Sequence, residues 1–255
     1  HQQWMTVASY VLGDTYLLLL QPALAQPVLD NALELARSLG SAFLSGTLIA
    51  LKGLASLMEH DLPGVVALLS PVLSPEQLPG NLAERQIAWV WGELALMQGE
   101  AERALQRAEQ LLASVPGMRG TQPIPHLQNL KGEALVALGR LEEAVQAFEE
   151  AKRGSLLHHK QFFLWRVHRS LGQVYRRLKR EEEAQREYSA ARQVIEALAA
   201  SIDETTLREH FLHTALSSLP QMKTLNARQI ARQGFDGLTT REREVAILVA
   251  QGWTN

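Results

Sequence analysis

The sequence predicts an all-α protein, a solenoid of stacked helical hairpins, and three observations predict it. First, the chain repeats itself at a spacing of 40: Gly92, Gly132 and Gly172 fall in register, as do Glu102, Glu142 and Glu182, then Ala104, Ala144 and Ala184, then Ala108, Phe148 and Tyr188. Second, apolar residues within a unit recur at i, i+3 and i+4 in two runs, Leu127, Leu130, Ala134, Leu135 and Leu138 followed by Leu141, Ala144, Val145, Phe148 and Ala151. Third, Gly and Pro stand between the runs, as Gly139 does here. Neither helix of such a hairpin can bury its apolar stripe alone, so its neighbours must cover it.

Taken in order, residues 4–39 and 42–73 each offer two apolar-periodic stretches, with turns expected at Pro22 to Pro27 and at His60-Asp-Leu-Pro. Gly13 and Gly53 continue the repeat upstream at the same spacing. Residues 70–81 and 116–125 read as Pro/Gly-rich loops. Three clear units follow at 91–114, 131–154 and 171–194, with small residues such as Gly132 and Ala144 allowing close helix approach and Phe148 filling the gap between repeats. Past Val194 the register is lost. An acidic start at Asp203-Glu204 opens an amphipathic helix through Leu207, Phe211, Leu212, Ala215 and Leu216, stopped by Pro220. The expected organisation is a repeat array over 1–200, a capping helix over 201–222, a linker over 223–237 and a further helix from 238 to 255.

Composition narrows the function. The 255 residues include no cysteine, which excludes disulfides and thiolate metal sites, and apolar runs such as 16–20 fall far short of the roughly 20 residues of a membrane span. The opening His-Gln-Gln-Trp carries neither an initiator Met nor a signal segment, so a piece of a longer cytoplasmic protein is expected. A net charge of −2 confines any nucleic-acid role to a local patch.

No phosphate loop, nucleophile elbow or zinc helix is present, so no enzyme, cofactor or metal is expected. The pairs His158-His159 and His210/His213 lack the third ligand a metal needs. Arg176, Arg177, Lys179 and Arg180 close one helix and Glu181 to Glu183 open the next, the order that helix dipoles favour at a solvated hairpin tip. Trp91 occupies a packing position.

Gly132, Ala144, Phe148 and Ala151, at the eighth, twentieth, twenty-fourth and twenty-seventh places of a unit counted from Pro125, resemble the tetratricopeptide repeat. Its usual period is about 34 residues. The spacing here adds about one and a half helical turns, in longer first helices or between hairpins. Lengthened repeats of this kind are similar to those of large maltose-activator-like bacterial regulators. The resemblance implies that first helices line a concave partner-binding face. Its positions here are Gln86, Trp89 and Glu93, then His126, Asn129 and Glu133, then Arg166, Arg169, Gln173 and Arg176, the last group forming a basic stripe.

The closing "GLTTREREVAILVAQGWTN" opens with a capping box, Thr239 and Glu242, and continues with an apolar stripe of Val245, Leu248, Val249 and Gly252. Leu238, Thr239, Arg241, Glu242, Glu244, Val245, Leu248, Ala250, Gly252 and Asn255 resemble the start of the LuxR-type helix-turn-helix domain. In that family two further helices read the major groove. The resemblance implies the sensor and protein-interaction region of a LuxR-type transcriptional regulator: a repeat array that receives a protein or small-molecule effector and acts on DNA only through a completed C-terminal domain. A peptide-binding scaffold with no DNA-binding role is the alternative. No membrane partner is expected, and the effector, the operator, the direction of control and the oligomeric state, homo-oligomer included, stay open.

Overall fold

The computed structural model describes residues 2–114 and 123–220. The chain divides into two units, His1–Leu219 and Pro220–Asn255, and every described helix belongs to the first. The expected linker and the helix-turn-helix positions from Leu238 to Asn255 lie outside the described residues. Eleven helices and no strand occur among the described residues. Five hairpins stack in chain order: α1 (Gln2–Leu18) with α2 (Pro22–Ser38), α3 (Ala42–Met58) with α4 (Leu62–Leu69), α5 (Leu82–Met97) with α6 (Ala101–Ala113), α7 (Pro125–Ala137) with α8 (Leu141–Leu157), and α9 (Gln161–Arg177) with α10 (Glu181–Ala200). A last helix, α11 (Thr205–Ser217), packs on α10. This is the helical-hairpin solenoid that the repeat predicts.

One turn geometry serves the whole array. Leu20, Gly40, His60, Gly99, Gly139, His159 and Lys179 all have positive φ, and each is followed by a residue whose N–H reaches back five positions. Gln21 N to Tyr16 O at 2.8 Å, Arg140 N to Leu135 O at 2.9 Å and Arg180 N to Tyr175 O at 2.8 Å are three of these. A left-handed residue followed by this long bond is the Schellman closure, which satisfies carbonyls that the helix end leaves open. Helix starts are set by local chemistry. Ser41 and Asp61 accept from Leu44 N and Gly64 N, and Asn81 accepts from Glu84 N at 3.0 Å while Glu84 accepts in return from Gly80 N at 2.7 Å.

Two expectations need correction. Pro22 begins α2 rather than lying in the turn, and Pro27 sits inside that helix, leaving the carbonyl four residues earlier without its helical donor. Phe148 fills space within its own hairpin, because its ring lies over Gly132 on the partner helix. Both places expected for the added repeat length occur: α1, α3 and α9 have 17 residues and α10 has 20, whereas a loop over 70–81 separates α4 from α5. The 70–81 segment is a loop as expected, and it is pinned from below: Trp91 Nε1 donates to Leu73 O at 2.9 Å and Arg107 donates to Gln77 O at 3.2 Å.

The ends of the array meet. Leu19, at the tip of the first hairpin, belongs to the same apolar cluster as Phe211, Ala215 and Leu219. His210 Nε2 donates to the Leu20 carbonyl at 3.2 Å across 190 residues of chain. On α1, Asp14 lies close enough to Lys160, in the turn between α8 and α9, to feel its charge. The opposite side of α1 is bare: Trp4 is 78% exposed, with Val11 and Leu12 beside it, at the register positions where α3, α5, α7 and α9 are covered by the preceding hairpin.

Candidate partner-binding face

The predicted face forms where α5, α7 and α9 lie side by side, backed by α6, α8 and α10. Register makes this happen: Trp89, Asn129 and Arg169 are each separated by one repeat, so stacking brings them into one row. Nine of the ten positions are half-buried, whereas Arg176, nearest the end of α9, is exposed.

Trp89 Nε1 donates to Glu93 Oε1 at 2.8 Å, and the Trp89 ring meets that of His126 with centroids 4.7 Å apart. Ser170 Oγ donates to Glu133 Oε1 at 2.5 Å. Arg166 and Arg169 place their guanidinium carbons 5.4 and 5.8 Å from the centre of the Trp165 ring. Trp165 itself packs edge-on against Phe211 of α11, which ties this face to the last helix of the array.

The electrostatics are those of a hollow with protein walls. Burial pushes the Glu93 carboxyl up to about 7, with the Trp89 bond opposing, Glu133 adding to the rise and Arg166 opposing it. Burial, with Lys160 and Arg85, pulls His126 down to about 4. Burial, with the like charge of Arg169, pulls Arg166 down to about 10 although Glu93 opposes it. Each of these side chains keeps some solvent-accessible surface, so desolvation comes from enclosing walls and not from a sealed core.

Polar atoms here lack internal partners. Gln86 Oε1, Asn129 Oδ1, Arg169 Nε and Trp165 Nε1 are buried and have no hydrogen bond among the described residues. Buried polar groups are ordinarily bonded, so a run of exceptions on one face marks a place where something else supplies the bonds. Gln173 lies on the same face, one turn beyond Arg169 and in register with Glu93 and Glu133. Sequence reasoning missed Trp165, Ser170, Lys160 and Asp14. Ser170 follows Arg169 directly and follows Glu133 by just under one repeat, which was a readable signal; Asp14 joins only because the ends of the array meet.

Other clusters differ in being satisfied. A recess of about 240 Å³ is lined by Trp91, Leu94, Glu76, Glu100, Arg103 and Arg107 among others. Arg103 is paired there with Glu76 and Glu100, and Arg107 donates to a carbonyl. On the far side of α9, His168 meets Glu187 at 2.5 Å and Lys152 meets Glu187 at 3.1 Å. The hairpin tip between α9 and α10 pairs Arg180 with Glu183 and Glu142. Trp91 is core, as its position predicts.

Residues 125–153, covering α7 and most of α8, match the tetratricopeptide repeat family. With the hairpin architecture, this makes the chain a tetratricopeptide-like repeat array, of the kind that serves as a protein-interaction scaffold. No curated protein matches the chain. Among solved structures it is similar to "MamA RS-1 ArsTM double mutant", at 17% identity over 77% of this chain and 98% of that one, with a TM-score of 0.43. It is also similar to a Podosopora anserina putative kinesin light chain with nearly identical TPR-like repeats, at 18% identity over 76% and 96%, with a TM-score of 0.45.

Proposed function

We propose that the chain is the sensor and protein-interaction repeat region of a LuxR-type DNA-binding transcriptional regulator, non-catalytic and cytoplasmic, with the α5–α7–α9 face as its partner- or effector-binding surface. The observation that carries the binding role is the row of buried polar atoms without internal partners at Gln86, Asn129, Trp165 and Arg169. A route for relay supports the regulatory role. Arg166 and Arg169 stand over Trp165, Trp165 touches Phe211, and α11 is the last described helix before the 238–255 motif.

The test uses DNA and the face together. Residues 1–255 bind no specific DNA, whereas a chain in which the 238–255 motif is completed to a full helix-turn-helix domain binds an operator, and Trp89→Ala or Asn129→Ala changes how an effector modulates that binding. Salt-resistant, sequence-specific binding by residues 1–255 contradicts the reading. So does a completed chain with no DNA affinity, which would leave a peptide-binding scaffold.

A further inference from the structure

Arg166 and Arg169 stand apart from every other half-buried or buried arginine among the described residues. Arg85 donates to Leu111 O at 2.8 Å, Arg107 to Gln77 O, Arg180 to Glu183, and Arg208 to Ile202 O at 3.1 Å, while Arg192 is paired with Glu196. These are the remaining arginines that are half-buried or buried, and each has an oxygen. Arg166 and Arg169 are half-buried as well, yet neither has a hydrogen bond or a salt bridge to a described residue. Both rest on one Trp165 ring, one turn apart on α9, with their charges repelling.

The nearby carboxylates do not fill this role. Glu93 is held by Trp89 and Glu133 by Ser170, each turned to a donor other than arginine. Lys160, at the start of α9, adds a third cation without an ion pair among the described residues. A desolvated guanidinium presents five donors in a planar fork that fits carboxylate or phosphate oxygens, and two forks on one aromatic ring form a clamp that lacks its anion. The orphaned amide oxygens of Asn129 and Gln86 extend the polar wall onto α7 and α5, where they offer acceptors to a donor elsewhere on the same ligand.

We propose that Arg166 and Arg169 bind the anionic group of a small-molecule ligand, a carboxylate or a phosphate, held over Trp165 and within reach of the Asn129 side of the face. The proposal rests on the reading of this face as the ligand surface and names the chemistry it takes.

The test is titration of the 255-residue chain with inorganic phosphate and with succinate at constant ionic strength, read by thermal melting and by the Nε–Hε resonance of Arg169. The expected result is a rise in melting temperature with at least one anion and a shift of that resonance. Arg166→Met and Arg169→Met should lower the affinity by about 10- to 100-fold each, the range for a hydrogen bond to a charged group. Response to phosphate alone or to succinate alone identifies the source of the charge. Without anion both variants melt at or above the parent, because an unpaired, partly desolvated charge has been removed. Arg169→Lys keeps the charge and loses the fork, so intermediate affinity is expected. Equal anion responses in parent and variants, an unmoved Arg169 resonance, or ligand-free variants that melt well below the parent would overturn the proposal. Operator binding by the completed chain fails or succeeds independently of these readouts, so loss of the regulator reading is distinguishable from loss of the clamp.

Discussion

The ring of Phe148 occupies the space that a Cβ on Gly132 would need, with its Cε1 2.5 Å from that position. Tyr188 stands the same way over Gly172, its Cε1 2.6 Å from the corresponding point. Where the repeat carries Ala108 in place of the aromatic, Leu130 of the next hairpin fills the space over Gly92 instead, its Cδ2 2.6 Å from the Cβ position. A glycine on the first helix and a bulky side chain above it are therefore one packing unit, and the bulk comes from whichever helix can supply it. Gly132→Ala is expected to destabilise the array by about 1–3 kcal/mol through overpacking. Combining it with Phe148→Leu should recover part of that loss; additive losses in denaturant melts would show that the two residues do not share the space.

Closure of the array gives a second prediction. Leu19 packs with Phe211 and Leu219, so Leu19→Ala should cost about 2–5 kcal/mol, the range for a buried leucine. The distinctive outcome is where exchange protection is lost. Amides of α1, α2 and α11 should open together while those of α7 and α8 hold, since the contact joins segments far apart in sequence. Loss confined to the first hairpin would show that the ends are not coupled.

The pH response follows from two opposed groups in the face. Glu93 has a folded value of about 7 against an ordinary 4.5, so between those limits the folded chain keeps a proton that the unfolded chain has released. Its contribution therefore falls as pH rises through that window. His126 has a folded value of about 4 against an ordinary 6.5, so between those limits the unfolded chain holds the extra proton and stability rises with pH. The two slopes cancel over the shared range. Glu93→Gln should unmask the rise and His126→Phe, which keeps a ring beside Trp89, the fall, each by up to about 3 kcal/mol across its window. Denaturant melts between about pH 4 and 7.5 check this; variants that parallel the parent at every pH would remove both groups from the balance.

The repeat made most of this legible. Gly92, Gly132 and Gly172 in register announced the hairpins, and Asp203-Glu204 announced α11, because helix period, turns and caps are local properties of sequence. Rows built by stacking equal repeats were legible for the same reason, which is why Trp89, His126, Asn129 and Arg166 share one face. What escaped notice depends on distance in the chain. Asp14 facing Lys160 and His210 reaching Leu20 require the curvature of the whole array, which accumulates from small rotations at each interface. Pro27 within α2 escaped for a different reason: proline reads as a break, and the stacking of α2 on α1 and α3 outweighs the one helical bond it removes.

Turn residues supply the last prediction. Leu20 and Lys179 hold the same left-handed conformation, with φ of 62° and 61°, at places where Gly99 and Gly139 adopt it freely. A side chain there strains the backbone by about 1–2 kcal/mol. At Lys179 the side chain is exposed at a solvated tip and has no ion pair among the described residues, so Lys179→Gly should raise stability by roughly 1 kcal/mol. Leu20 carries the same strain but packs against the cluster that includes Phe211 and Leu219, and its carbonyl accepts from His210. Relieving the strain there removes an apolar contact at the junction of the two ends, and burial of a leucine outweighs it at roughly 1.5–3 kcal/mol. Leu20→Gly should therefore melt below the parent while Lys179→Gly melts above it. Thermal melts of the two variants decide the point, and equal shifts of the same sign would show that the closure adds nothing to Leu20 beyond its turn.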